Sequence, residues 1–435
     1  MSFWDDLAQF GNNVALLDET RQITYSELDH LTKQFANQLP KQKQLVAIKA
    51  TTSFETVVAY LGVLQGGHTA MMLDPSMPNE AKEKILQTYK PNFLYDNEKL
   101  ESLHANPHPL YDSLALLLST SGSTGEVKMV RLSFENLQAN CDSICDYLPL
   151  SNNDRAITSL PLSYSYGLSI LHTHLQTGAS LFVTEYSLMQ KEFWEVFEKF
   201  HITNFNGVPY HYEMLRRLRF TQKEHPSLRF FTQAGGKLQA DFVKDFAHYA
   251  KKSGKEFFVM YGQTEATARI SYLPPQKTLQ KPASIGIAIP GGKLSIKDGE
   301  LIYRGRNVML GYATTLEDLF RGDELEGLLI TGDMARQDDE GFFYITGRKK
   351  RFIKVQGKRL SLDAIEQYAK RFVPSVAIGE DERLLLLTTE DLDIAKKVAK
   401  HFNIFHKAVE QKRVEAFFYT QNGKVDYEKL KREYL

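Results

Sequence analysis

Cysteine is almost absent from this sequence: Cys141 and Cys145 are the only two in 435 residues. They stand four apart in FENLQANCDSICDYL, a helix-like stretch with no neighbouring Cys or His to complete a metal set. A disulfide framework and a metal site are therefore not expected there, and the pair reads as ordinary helix residues. An excess of either charge is also missing, with Lys+Arg 53 against Asp+Glu 53. That balance gives no general reason to expect nucleic acid or an anionic membrane as partner. No apolar run approaches the roughly 20 residues that span a bilayer. The opening MSFWDDLAQF has neither the basic nor the apolar region of a signal peptide. Repeats and low-complexity segments are absent too. What remains is ordinary globular composition, 43% hydrophobic and 24% charged, in a chain long enough for two or three domains. The expectation is a cytoplasmic enzyme or binding protein.

Helix and strand patterns alternate with short links. From about 190 to 265, QKEFWEVFEKF, HYEMLRRLRF and QADFVKDFAHYAKKSG read as helices. Between them ITNFNGVP, LRFFTQAGG and EFFVMYGQTE read as strands, each ending in glycine or polar residues. The early chain, QITYSELDHLTKQFANQL followed by VAIKATTSFETVVAYLGVLQGGHTAMMLDPSMP, shows the same alternation. This predicts an α/β fold of largely parallel, helix-covered sheets, with ligands beyond the carboxyl ends of the strands. DDEG between two apolar runs predicts a hairpin, and Ser361 with Asp363 predicts a capped helix over LDAIEQYAKRF. After Gly347 apolar density drops and basic residues cluster, which places a boundary there: 1–346 and a small domain, 347–435.

The apolar strand LALLLST runs into Thr120, Ser121, Gly122, Ser123, Thr124 and Gly125, closed by Lys128. Backbone amides and hydroxyls at this density suit a phosphate chain. The loop lacks the G-K-[ST] ending of a Walker loop, and VKMVRL after it reads as a strand with Ser133 capping a helix beyond. Alone it is a weak signal, since such loops are often flexible links.

TSGSTGEVK, AGGKL, YGQTE, TGD, GRKKRFIKVQGKRL and NGKVD follow one another over about three hundred residues. Their order and spacing resemble the adenylate-forming superfamily of acyl- and aryl-CoA synthetases, peptide-synthetase adenylation domains and luciferases. The resemblance implies activation of a carboxylic acid by ATP with magnesium to an acyl-adenylate, with pyrophosphate released. Transfer to the thiol of CoA or of a carrier protein's phosphopantetheine follows, as a mobile α+β C-terminal domain rotates. It assigns the loop from Thr120 to Lys128 to the β- and γ-phosphates, with Val127 and Met129 standing where proline and glycine are usual. Tyr261 and Gly262 go to adenine, Thr264 to the α-phosphate and Glu265 to magnesium; oxygen ligands suit that hard cation. Gly235 and Gly236 permit close backbone approach to adenine and acid. Asp333 and Arg348 go to the ribose, Lys350 to the hinge and Lys424 to catalysis of adenylation.

SLPLSYSYGLSI matches the aromatic segment beside the acyl site, which makes Tyr164 and Tyr166 candidate substrate residues or equally structural core. Amino-acid-activating relatives usually carry an aspartate where Ser165 stands, and a buried ammonium without a carboxylate partner is costly. A small acid without an α-amino group is therefore expected. With no carrier domain after Lys424, a carrier protein is expected to act in trans, and the seven basic residues from Arg348 to Arg359 offer a rim for it or for CoA phosphates. An amino-acid adenylation enzyme and a non-catalytic nucleotide-binding relative remain the alternatives.

Overall fold

A computed structural model describes residues 2–104, 108–119, 128–420 and 424–435. The chain divides into two compact units: Met1–Pro282 with Ala288–Lys293 and Arg304–Leu329, and Ala283–Ile287 with Leu294–Tyr303 and Ile330–Leu435.

The first unit holds two large sheets. In the seven-stranded one, Leu45–Lys49 pairs in parallel with Thr69–Leu73 and Phe93–Asp96, and Thr69–Leu73 with Leu114–Ser119. Only its outer pairings are antiparallel, among them Leu114–Ser119 with Met129–Ser133 and Met129–Ser133 with Gly311–Ala313. Leu114–Ser119 is buried along almost its whole length, as a parallel strand covered on both faces must be. The nine-stranded sheet carries the alternation of the 190–265 region. Asn204–Gly207, Phe230–Gln233 and Glu256–Tyr261 lie side by side in parallel. Helix Lys191–Lys199 leads into the first of them, and Pro209–Arg217 and Ala240–Lys252 connect the rest.

Local chemistry explains the boundaries. Ser133 caps Phe134–Tyr147 through a reciprocal box with Asn136. Cys141 and Cys145 sit on this helix as free thiols. Met129 is buried at the start of its strand. Helix Ser165–Thr177 has nearly every residue buried, because it runs between other elements rather than along a surface.

In the second unit, Leu328–Gln337 and Phe343–Arg348 form the expected hairpin across Asp338–Gly341. Beyond it comes a small α+β assembly with its own core of Ile353, Leu362, Ile365, Leu384, Leu386 and Val398. Ser361 caps Leu362–Ala369 by accepting from the Ala364 amide at 3.2 Å. The boundary expected between 346 and 347 falls inside the strand Phe343–Arg348, whose ladder runs through to Asp333↔Arg348. Compactness therefore changes earlier in the chain, at Ile330, because the hairpin groups with the segments 283–287 and 294–303.

Candidate active site

The parallel register of Asn204–Gly207, Phe230–Gln233 and Glu256–Tyr261 brings NGVP, AGG and YGQTE to neighbouring strand ends. Two glycines there are required by geometry. Gly235 has φ +84°, and a Cβ on it would stand 2.6 Å from the Tyr164 hydroxyl and 3.0 Å from Val208. At Gly262 a Cβ would stand 1.8 Å from the Ala268 carbonyl oxygen, a backbone atom with nowhere to go. Gly236 is less demanding, with Pro209 Cγ at 3.1 Å.

After the strand, Thr264–Ala266 forms a single tight turn. Thr267 follows at φ +62°, a strained conformation for a β-branched residue. Asn307 holds this turn: its amide nitrogen donates to the carbonyls of Ala266 at 2.9 Å and Arg269 at 2.8 Å. The Thr267 hydroxyl donates to the Asn307 carbonyl at 2.7 Å. The Thr264 and Ser165 hydroxyls lie 3.3 Å apart, which ties the turn to the start of the buried helix. Gln263 Nε2 donates to the Tyr261 hydroxyl at 3.1 Å.

Glu265 accepts a hydrogen bond from the Tyr312 hydroxyl at 2.8 Å. The Lys128 ammonium sits 3.2 Å from the centroid of the same ring. Burial, and then the Glu265 charge, push the Tyr312 phenol well above its usual range, so it stays a donor. Of the loop expected to hold phosphate, Lys128 is described; Thr120, Ser121, Gly122, Ser123, Thr124 and Gly125 lie outside the described residues.

The aromatic segment divides in role. Tyr166 is buried, and its hydroxyl bonds Thr232 Oγ1 at 2.6 Å, which makes it part of the core. Tyr164 turns its hydroxyl toward Gly235. Burial pushes both phenols up to about 12, and the Arg269 charge opposes the rise.

In the second unit Asp333 is buried and faces Arg348 across the hairpin, with Oδ1 3.4 Å from Nε. Lys350 lies in the short turn Lys349–Arg351. The basic run is not a uniform rim. Lys349 pairs with Glu300 at 2.7 Å, and Arg351 pairs with Asp363 at 2.6 Å and lies over the Tyr427 ring. The Lys424 carbonyl accepts from the Thr420 amide at 2.7 Å, just before the helix Tyr427–Tyr434.

Three residues at this site carry no motif. Tyr312 and Asn307 come from distant segments: strand pairing places Tyr312, and hydrogen bonds to Ala266, Thr267 and Arg269 place Asn307. Arg269 is the exception: a lone charge in the otherwise uncharged run ATARISYL is a visible signal.

These groups fit a nucleotide and magnesium. The glycine turns let backbone approach closely, and Glu265 offers a hard oxygen donor to a cation that keeps several waters and phosphate oxygens as its other ligands. The comparisons agree with this chemistry. A model of the AMP-binding enzyme family matches residues 3–111 and 94–313. The D-alanine--D-alanyl carrier protein ligase of Staphylococcus aureus (strain bovine RF122 / ET3-1) is 23% identical over 96% of this chain and 95% of its own. Two solved structures of the o-succinylbenzoate CoA synthetase MenE from Bacillus subtilis share the fold. The complex with the acyl-adenylate intermediate OSB-AMP has a TM-score of 0.81 at 21% identity, covering 99% of this chain and 98% of that one. The complex with ATP and magnesium ion has a TM-score of 0.80 at 20% identity, covering 99% of each. With more than half of its length matched by the family model, this chain belongs to the AMP-binding enzyme family.

Proposed function

We propose that this protein is an AMP-forming ligase that activates a small carboxylic acid with ATP and passes the acyl group to a thiol, on a carrier protein's phosphopantetheine or on CoA. In the first half-reaction a carboxylate oxygen attacks the α-phosphorus, and pyrophosphate leaves with the electron pair of the broken P–O bond. In the second the thiolate displaces AMP from the acyl carbon. Glu265 would hold magnesium, which when bound would neutralise charge on the phosphate oxygens. Thr264 donates to the α-phosphate, Tyr261 gives adenine an aromatic face, and Asp333 with Arg348 serves the ribose. Lys424 offsets charge on the transferring oxygens, a role whose loss costs on the order of 10²–10³ in rate.

The observation that carries this reading is the strand-end cluster: a Gly235 turn no side chain fits, a clamped Thr264–Glu265 turn, and Lys128 joined to Glu265 through Tyr312. The test is acid-dependent release of pyrophosphate from ATP and magnesium across fatty, aryl, hydroxy and amino acids. It is run without thiol, then with CoA, then with a phosphopantetheinylated carrier. ATP binding with no release from any acid establishes the non-catalytic alternative instead; intact Glu265, Asp333, Arg348 and Lys424 argue against it.

Amino-acid activation is a second reading, favoured by the activity named for the staphylococcal relative. Against it, Ser165 offers a hydroxyl where an α-ammonium needs a carboxylate, and the charge nearest Tyr166 is the Arg269 cation, 4.0 Å from its ring centroid. The reading also places the enzyme in the cytoplasm, with ATP and reduced thiols. No helix among the described residues is long and apolar enough to cross a membrane.

A further inference from the structure

The guanidinium of Arg269 is buried, with 3% of the residue exposed, yet no carboxylate lies within ion-pairing distance of it among the described residues. Its polar contacts are neutral ones: Nε to the Met260 sulfur at 3.3 Å, Nη1 to the Ala268 carbonyl at 3.4 Å, and a hydrogen bond to the Tyr147 hydroxyl. The Tyr166 ring lies 4.0 Å away, face on, and the Tyr147 hydroxyl, itself 3.0 Å from Met260 Sδ, shares the neighbourhood. A thioether is a poor acceptor and an aromatic face replaces only part of a cation's hydration. Two other arginines drawn into this fold are paired with carboxylates. Arg131, fully buried, meets Glu324, and Arg351 meets Asp363 and Glu366. Arg269 alone among these three has no anion of its own.

Its position shows where an anion would come from. Arg269 lies against Tyr166, whose ring is 6.3 Å from that of Tyr164, and the Tyr164 hydroxyl borders the space that a Cβ on Gly235 would fill. That is the side of the site assigned to the acid. One carboxylate of the acid is consumed in forming the adenylate and lies toward Thr264, so it cannot also neutralise the guanidinium.

We infer that the acid this enzyme activates carries a second carboxylate, received by Arg269 beside Tyr166. The inference rests on the proposed ligase function and names its substrate class. A planar, permanently charged fork matches a carboxylate by paired hydrogen bonds, and a site built around such a pair strongly rejects an analogue that leaves the cation unpartnered. The same cation repels an α-ammonium, consistent with Ser165 in place of an acidic residue.

The experiment compares diacids with their half-esters: adipic, terephthalic and glutaric acids against monomethyl adipate, monomethyl terephthalate and monomethyl glutarate. Pyrophosphate release is measured with each, in wild type, Arg269→Lys and Arg269→Met. The expected result is a kcat/KM for at least one diacid about 100-fold or more above its half-ester in wild type. Arg269→Lys should reduce that preference and Arg269→Met abolish it. Where Arg269→Met does not fold, the wild-type pairs and Arg269→Lys decide the matter alone. Turnover of half-esters equal to or better than that of every diacid overturns the inference while leaving the ligase reading intact. A diacid preference that survives Arg269→Met overturns the role of Arg269. Silence with every acid, with ATP still bound, overturns the ligase function and this inference with it.

Discussion

At the scale of single residues, the site is a set of charges and close approaches with separable tests. Lys424→Ala should lower adenylation by about 10²–10³ while leaving thioester formation from a supplied acyl-adenylate unchanged, read by pyrophosphate release and thioester assays in parallel. Equal loss in both assays would remove Lys424 from its assigned half-reaction. Tyr312→Phe deletes the hydrogen bond to Glu265 and should raise the magnesium-ATP KM about tenfold, the worth of a bond to a charged group. An unchanged KM would make the phenol a packing residue. Lys128 and Glu265 form no ion pair with each other among the described residues, and Tyr312 gives each a neutral partner. Nucleotide binding therefore does not first have to separate them. Sequence and structure diverge most here. YGQTE, AGGKL and the stretch around Ser165 were readable as patterns, because each is a short contiguous run of the chain. Tyr312 and Asn307 were not, because Tyr312 reaches the site only through its pairing with Val130, more than 180 residues earlier. A sequence pattern does not encode that proximity.

At the scale of elements, most of the structure follows from local rules. Strand, turn and helix succeed one another from 191 to 261 as hydrophobic period and glycine position require, and the caps at Ser133 and Ser361 form where a hydroxyl precedes an apolar helix. Ser361→Ala should cost the second unit about 1 kcal/mol, seen as faster amide exchange in Leu362–Ala369. Protection equal to wild type would mean tertiary packing, not the cap, holds that helix. Gly262→Ala should be far worse than a usual glycine replacement, because the new methyl meets a carbonyl at 1.8 Å. Overpacking of this kind costs about 1–3 kcal/mol, and pyrophosphate release should fall with the melting temperature. What the local rules did not show was the grouping of strands. The break placed after Gly347 followed a change in composition, whereas the strand pairing runs straight through that point.

At the scale of the whole molecule, stability carries a pH signature. His68, His174 and His225 are buried and His211 half-buried, all held down to about 4, and buried His172 is held to about 3, mainly by loss of hydration. These groups stay neutral in the folded state while the unfolded chain takes up protons below the ordinary histidine value of about 6.5. The stability they contribute is complete above that value and is lost as pH falls toward 4, by up to about 1.4 kcal/mol per histidine per pH unit. Urea midpoints should drop steeply between pH 6.5 and 4.5, and a flat profile there would contradict the burial of these rings. The arrangement of the two units has a further consequence, for recombination. The chain passes from one unit to the other five times, at 282, 287, 293, 303 and 329. A hybrid with a related enzyme that exchanged the whole second unit would need compatible junctions at all five points. One joined at the single point before Phe352 would carry over the Lys424 segment with its own core intact. One splice thus moves the segment with Lys424, while Asp333 and Arg348, the pair proposed to serve the ribose, stay with the other parent.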